Sequence, residues 1–381
     1  MDFEGRLSRA REEMRKMGVD LMYLRRGAKL WYLAGIRRRG PEMTDHNTYG
    51  DYIQGAYVGA EEGFVLVGPR MGSAAWVYEA KGKPWINELR IIDESETPEK
   101  VLEEVLKGFD VKGDVMVDER AWAQGGLLIQ KNLPRSGLRL ASEIIDPMKM
   151  IKDKNEIALM KKVGEITDKV YGEVVNHLKV GLKEEEVAHE VDYQFTKHNS
   201  DQTSFVTGVR FSSPKRPRRL HASRSTSRSL HEGDTITFDF GGVYQGYCSD
   251  FGRTVYVGDP PAKVKEIHNA VMDAQAAAIQ VMVSDTITAQ GLDRIARGLI
   301  TDRGYGECFG HRLGHGIGVT VHEPPFLYIP DDTMLQTGMT FTVEPSIRLP
   351  NSWSVRVEDV VMVTEEGGLP FTNYHKELIT I

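Results

Sequence analysis

Cysteine is nearly absent: Cys248 and Cys308 are the only two in 381 residues, too few for a disulfide scaffold or a four-thiolate zinc site. No apolar run approaches the roughly 18 residues that a membrane span requires. The opening segment alternates charged with apolar side chains, unlike a secretory signal. A basic excess is also missing, since 48 Lys and Arg against 55 Asp and Glu leave a net charge of −7, which argues against a general polyanion binder. Tandem repeats, low-complexity tracts, phosphate-binding loops, His-Glu-x-x-His, Cys-x-x-Cys and Gly-x-Ser-x-Gly are all lacking. These absences predict a protein of the reducing cytoplasm with no nucleic-acid partner and no membrane partner.

What is present is globular in composition, with 40% hydrophobic and 27% charged residues. At roughly 150 residues per domain the length suggests two domains. Phe3, Leu7, Ala10, Met14 and Met17 have the spacing of an amphipathic helix. Strand-like runs follow at 21–24, 55–58, 64–67, 74–77 and 115–117, interspersed with helical patterns at 98–108 and 121–133, which reads as an α/β unit. A polar crossing at 146–154 places the boundary between domains 1–148 and 149–381. Beyond it, helical patterns at 155–177, 183–198, 261–284 and 289–302 and strands within 235–257 and 340–363 come in blocks, as in an α+β fold.

Three of those strands share one design. Asp239 alternates onto the face of Thr235 and Thr237, Glu344 onto that of Thr340 and Thr342, and Glu358 onto that of Ser354 and Arg356. Asp250 follows Asp239 across a glycine-rich hairpin, and His311, His315 and His322 lie in one Gly-rich stretch. A lone strand-end Asp is usually a turn former, and a lone His315 could be a satisfied core histidine. Carboxylates that converge, however, repel one another unless cations compensate them. Four carboxylates and one imidazole suit two divalent cations with oxygen-rich ligation, favouring manganese, iron or cobalt. The residues thus predict a dinuclear hydrolase.

The set Asp239-Phe-Gly, Ser249-Asp250-Phe-Gly-Arg-Thr254, Gly314-His315-Gly-Ile-Gly, Val321-His322-Glu, Glu344-Pro345 and Arg356-Val-Glu358-Asp resembles the pita-bread metallopeptidases, in their Xaa-Pro dipeptidase and aminopeptidase P branch. The resemblance implies a creatinase-like α/β N-terminal domain, a pita-bread α+β catalytic domain and two divalent ions per chain, manganese first, with cobalt, iron or zinc as alternatives. It implies that Asp239, Asp250, His315, Glu344 and Glu358 hold the metals, Asp250 and Glu358 bridging them. A metal-bridging hydroxide would cleave the Xaa-Pro bond of dipeptides or short peptide N-termini, with Glu344 as proton shuttle and His221 and His322 assisting catalysis. His311, Arg356 and His221 would meet the substrate, and the protein would be a homodimer.

Two departures stand out. The family follows its Glu-Pro with Gly and a hydrophobic-Tyr pair, whereas this chain has Glu344-Pro-Ser346-Ile-Arg348. Residues 210–228 also carry seven Lys or Arg and no acid, either a solvated loop or a cationic approach to the site. Both features keep open an alternative, a non-peptidase of the same fold acting on a small charged metabolite, as a creatinase-like hydrolase or a lyase.

Overall fold

The computed structural model describes residues 1–37, 49–216 and 225–381. The chain divides into two compact units, Met1–Lys149 and Met150–Ile381.

In the first unit six strands form one mixed sheet, in the order Glu88–Ile92, Phe64–Pro69, Gly55–Gly59, Val19–Arg25, Asp114–Val117 and Leu138–Leu140. The apolar stripe of the helix Pro98–Lys107 explains its placement, because Val101, Leu102, Val105 and Leu106 enter a core with Leu21, Tyr23, Tyr57 and Val67. Two sequence expectations fail here. Residues 74–77 are not a strand but part of the helix Ser73–Ala80, entered through Gly72 at φ +80. Ala74, Ala75 and Ala80 favour the helix, and an apolar run of about four residues is too short to show a period. The run is apolar because Trp76 is buried, packed so closely on Gly68 that a Cβ there would meet the indole at 2.7 Å. The polar crossing at 146–154 likewise begins inside a helix, Ser142–Met150. Its charges are internal, since Asp146 receives Lys149 and Lys29 at 3.0 Å each.

The second unit is built as two similar halves, each a pair of helices followed by a sheet. In the first half, helices Lys154–His177 and Glu184–Lys197 cover a four-stranded sheet whose order is Ile379–Thr380, Thr254–Tyr256, Thr235–Asp239, Gly208–Ser212. Val170, Tyr171, Val191, Phe195, Phe211 and Phe238 fill the core between them. In the second half, helices Ala262–Gln280 and Ala289–Asp302 cover Glu323–Leu327, Gly314–Gly316, Thr340–Val343, Asp359–Val363 and Gly368–Pro370, with Val271, Leu292, Ile300, Phe341, Val343 and Val361 in a second core. The first helix starts at a capping box of Asp153 and Glu156. Glu156 also accepts the Tyr247 hydroxyl at 2.7 Å, tying the helix start to the hairpin that leads into Asp250.

Both faces of Thr235–Asp239 are covered. Ile236 and Phe238 enter the helix-side core, while Thr235 and Thr237 are buried on the other face. Their hydroxyls are used: Thr235 Oγ1 donates to the Ser212 carbonyl at 3.1 Å and Thr237 Oγ1 to the Ser354 carbonyl at 3.0 Å. The next strand repeats the device, with Thr254 Oγ1 donating to the Arg356 carbonyl at 3.0 Å. A two-stranded ribbon, Ser346–Arg348 against Ser354–Arg356, is thus docked on a layer of hydroxyls, and the carboxylates emerge at the edge of that layer. Among the described residues no helix is long and apolar enough to cross a membrane.

Candidate metal centre

Each carboxylate is delivered by a backbone junction. Asp239 ends its strand opposite Gly208. Asp250 is brought to Glu358 because Gly252 and Glu358 pair through their backbones, with Glu358 N–H donating to the Gly252 carbonyl at 2.8 Å. Arg253, buried, donates to the Glu358 carbonyl at 2.6 Å and to Asp359 Oδ1 at 2.7 Å, which fixes that junction from behind. Glu344 follows Thr340–Val343 and donates its N–H to the Leu313 carbonyl at 2.9 Å. His315 lies on the neighbouring strand, where Gly314 passes so near that a Cβ would sit 1.9 Å from the Thr342 carbonyl oxygen. Gly314→Ala must therefore push His315 away from the cluster. The expected cost is about 1–3 kcal/mol of stability with a more than tenfold loss of activity; a variant melting and turning over like wild type would show that the strand has slack.

The result is a cluster. Ligand oxygens of Asp239, Asp250 and Glu358 lie within 4.8 Å of one another. His315 Nε2 stands 3.6 Å from Asp250 Oδ2 and 3.4 Å from Glu344 Oε1. The Arg356 guanidinium faces the group, at 3.2 Å from Asp239, 2.9 Å from Glu344 and 3.4 Å from Glu358. The five ligand positions expected from sequence are thus brought together within the second unit.

The electrostatics show what such a cluster demands. Burial, then the charges of Asp250 and Glu344, push the Glu358 carboxyl well above its ordinary range. Glu344 is raised by burial and by Asp239, against the pull of Arg356. Burial, then the neighbouring His322, lowers His315 to about 3, so the ring is neutral. Its Nδ1 is 3.0 Å from the Gly316 carbonyl, an acceptor, so Nδ1 carries the proton and Nε2 presents a lone pair to the two carboxylates. A lone pair aimed at carboxylate oxygens is repulsive unless a cation sits between them. The donor set therefore fits a divalent metal with mixed oxygen and imidazole ligation.

The accessory residues fall into place unevenly. His322 is exposed and stands edge-on to His315, ring centroids 4.2 Å apart. His311 is lowered to about 3 by burial and by Arg356. Its Nδ1 meets the Arg312 carbonyl at 2.8 Å and its Nε2 the Ser346 hydroxyl at 2.6 Å, so both nitrogens are occupied and the ring offers its carbon edge. His221, Arg218, Arg219 and Arg224 lie outside the described residues. Within the basic stretch, Arg216 is held by Asp234 at 3.0 Å and Arg210 lies 4.0 Å from Glu184, so these two charges are neutralised by acids from elsewhere in the chain.

Three participants escaped the sequence reading. Thr342 Oγ1 accepts from the His315 N–H at 3.1 Å and donates to Glu344 Oε1 at 3.3 Å; its place on the polar face of the Glu344 strand was the available signal. Ser346 hydrogen-bonds His311 Nε2, while the Arg312 carbonyl at Nδ1 places the ring proton on that nitrogen. Arg312, adjacent to His311 in sequence, stacks its guanidinium 4.8 Å from the Phe326 ring, across the strand pair from His315.

Comparison with known proteins agrees with this architecture. The chain is 31% identical to a recombinant prolidase from Thermococcus sibiricus, with a TM-score of 0.88 and full coverage of both chains. Against an X-Pro aminopeptidase from Thermotoga maritima the identity is 26% and the TM-score 0.80, covering 97% of this chain and 100% of the other. A Xaa-Pro dipeptidase of Pyrococcus horikoshii is 39% identical over 237 residues, 62% of this chain and 66% of that protein. The fold shared with these neighbours is the pita-bread fold. Residues 158–365, which contain all five clustered side chains, match metallopeptidase family M24, and the chain belongs to that family as a metallopeptidase.

Proposed function

We propose that the protein hydrolyses the Xaa-Pro peptide bond of dipeptides or of short peptide N-termini. The observation that carries the metal chemistry is the lone pair of His315 and the oxygens of Asp250 and Glu344 facing one point. The substrate class is supported by relatives named prolidase and Xaa-Pro dipeptidase. In this reading residues 1–148 are the creatinase-like domain and 149–381 the catalytic domain. Asp239, Asp250, His315, Glu344 and Glu358 hold two divalent ions, manganese before cobalt, iron or zinc, in a cytoplasmic homodimer.

Such ions, held by Asp239, Asp250, His315, Glu344 and Glu358, would acidify a water molecule and polarise the scissile carbonyl. The chain's own groups do the rest. Glu344, whose carboxyl is raised by burial, is suited to take a proton from the attacking water and hand it to the leaving nitrogen. His322, on the exposed side of His315, and His221 donate to the oxygen that gains charge. The carbon edge of His311 packs against the proline ring, and Arg356 keeps the carboxylates apart while forming the adjoining wall.

The test is turnover by manganese- or cobalt-loaded protein on Xaa-Pro dipeptides, Xaa-Pro-Yaa tripeptides and non-proline dipeptides. Cleavage confined to Xaa-Pro bonds is expected, with dipeptide-only turnover marking a dipeptidase and tripeptide cleavage an aminopeptidase P. Silence on all three with two metals bound would defeat the proposal in favour of a creatinase-like hydrolase or lyase.

A further inference from the structure

Glu358 and Asp359 are neighbours in sequence, yet their carboxylates have different surroundings. Glu358 joins the cluster, whereas Asp359, fully buried, is ringed by hydrogen-bond donors. Arg253 Nη2 reaches Asp359 Oδ1 at 2.7 Å, and the Thr372 hydroxyl donates to the same oxygen. Oδ2 receives Lys376 Nζ at 2.8 Å and Gln275 Nε2 at 3.1 Å. A carboxylate has about four acceptor sites, so those of Asp359 are all taken and the side chain is an anchor.

Two of the four donors come from the segment 371–381, which is attached to both halves of the second unit. Its Asn373 and Tyr374 N–H groups donate to Asp168 at 2.7 and 3.1 Å, and Ile379–Thr380 pairs in parallel with Thr254–Tyr256. In the other half, the Phe371 N–H donates to the Val360 carbonyl at 2.9 Å. Lys376 lies between these attachments and serves two groups at once, because Nζ also donates to Gln275 Oε1 at 2.7 Å. That bond settles which way the Gln275 amide is turned, and its Nε2 donates to the carbonyl of Val343, the residue before Glu344, at 3.0 Å. On the other side Asp359 holds Arg253, whose Nη1 donates to the Gly252 and Glu358 carbonyls at 2.9 and 2.6 Å. One ammonium therefore acts through two short relays on the backbones that carry Glu344 and Glu358. Without it, Arg253 alone balances a buried carboxylate, and the Gln275 amide loses the bond that orients it. We propose that Lys376 is a positioning residue for the metal centre, fixing the Glu344 and Glu358 backbones through Gln275 and Asp359 and so setting how tightly divalent metal is held, a reading that rests on the proposed ligand set and is independent of the substrate.

The experiment strips the full chain with chelator and titrates it with manganese against a competing indicator, well below the melting temperature of each variant. Lys376→Met is expected to weaken manganese binding by about 10- to 100-fold, the usual effect of removing a group that orients metal ligands. Lys376→Arg should restore most of the affinity, since a guanidinium keeps the charge and has donors for both Asp359 and Gln275. Val174→Ala, a truncation in the core of the first half, should lower the melting temperature without moving the affinity. Thr372→Val, which removes one neutral donor from Asp359, should weaken binding by about 2- to 10-fold and gives the reading if Lys376→Met does not fold. Wild-type affinity in Lys376→Met, or in Thr372→Val where that variant stands in for it, would overturn the inference, as would equal losses in Lys376→Met and Val174→Ala. A wild-type chain that binds no manganese would bring down the ligand set itself and the inference with it, an outcome distinct from a wild type that binds and a Lys376→Met that binds equally well.

Discussion

Alanine at Asp250 is expected to lower turnover at least about a thousandfold, equivalent to some 4 kcal/mol of transition-state stabilisation, and to reduce the divalent metal bound per chain. Asp250 stands between the two halves of the cluster, its carboxylate within 4.8 Å of those of Asp239 and Glu358 and 3.6 Å from His315 Nε2. The same substitution should leave the chelator-treated protein at least as stable as wild type, because Asp250 is one of the charges that raises Glu358 and its removal relieves repulsion. Metal content by mass spectrometry, melting temperature in chelator and kcat form the necessary set. Activity within tenfold of wild type would remove Asp250 from the metal site, and a collapse of the melting temperature would reduce the loss to misfolding.

The opposite signature is expected of Arg356→Met. That guanidinium is 7% exposed and lies among three carboxylates, and stripping one partner from a buried ionic group costs about 3–5 kcal/mol. At about 2–4 °C per kcal/mol for a domain of this size, the melting temperature in chelator should fall by roughly 6–20 °C. The sign of its pH dependence follows from the carboxylates. Glu344 and Glu358 already have folded-state pKa values above the ordinary one, and loss of Arg356 raises them further. A group raised in this way destabilises the fold once pH exceeds its unfolded value, so the deficit should shrink as pH falls toward the ordinary carboxylate range and grow as pH rises. Divalent metal should shrink it, since cations replace the lost positive charge. A deficit that ignores both pH and metal would show that Arg356 acts through packing alone.

Much of this site was legible in the sequence because strand alternation does not depend on tertiary context. Asp239, Glu344 and Glu358 each fell on a hydroxyl-bearing face, and those faces do carry the cluster. The alternation did not reveal that the polar face is internal, with Thr235 and Thr237 buried against Ser212 and Ser354. That requires two sheets to meet, as does the backbone pairing of Gly252 with Glu358, which joins segments more than a hundred residues apart. Charge runs hide their partners for the same reason: Arg210 and Arg216 find Glu184 and Asp234, acids absent from their own segment. The helix at Ser73–Ala80 was missed because so short an apolar run carries no usable period.

The duplicated architecture of the second unit gives its metal site a mechanical meaning. Asp239 and Asp250 are rooted in the strands of one hydrophobic core, and His315, Glu344 and Glu358 in those of the other. An ion held jointly by Asp250 and Glu358 would be a rivet across the seam between the two cores. Chelation would then remove a catalyst and a fastener in one step and make the seam the place where the protein first comes apart.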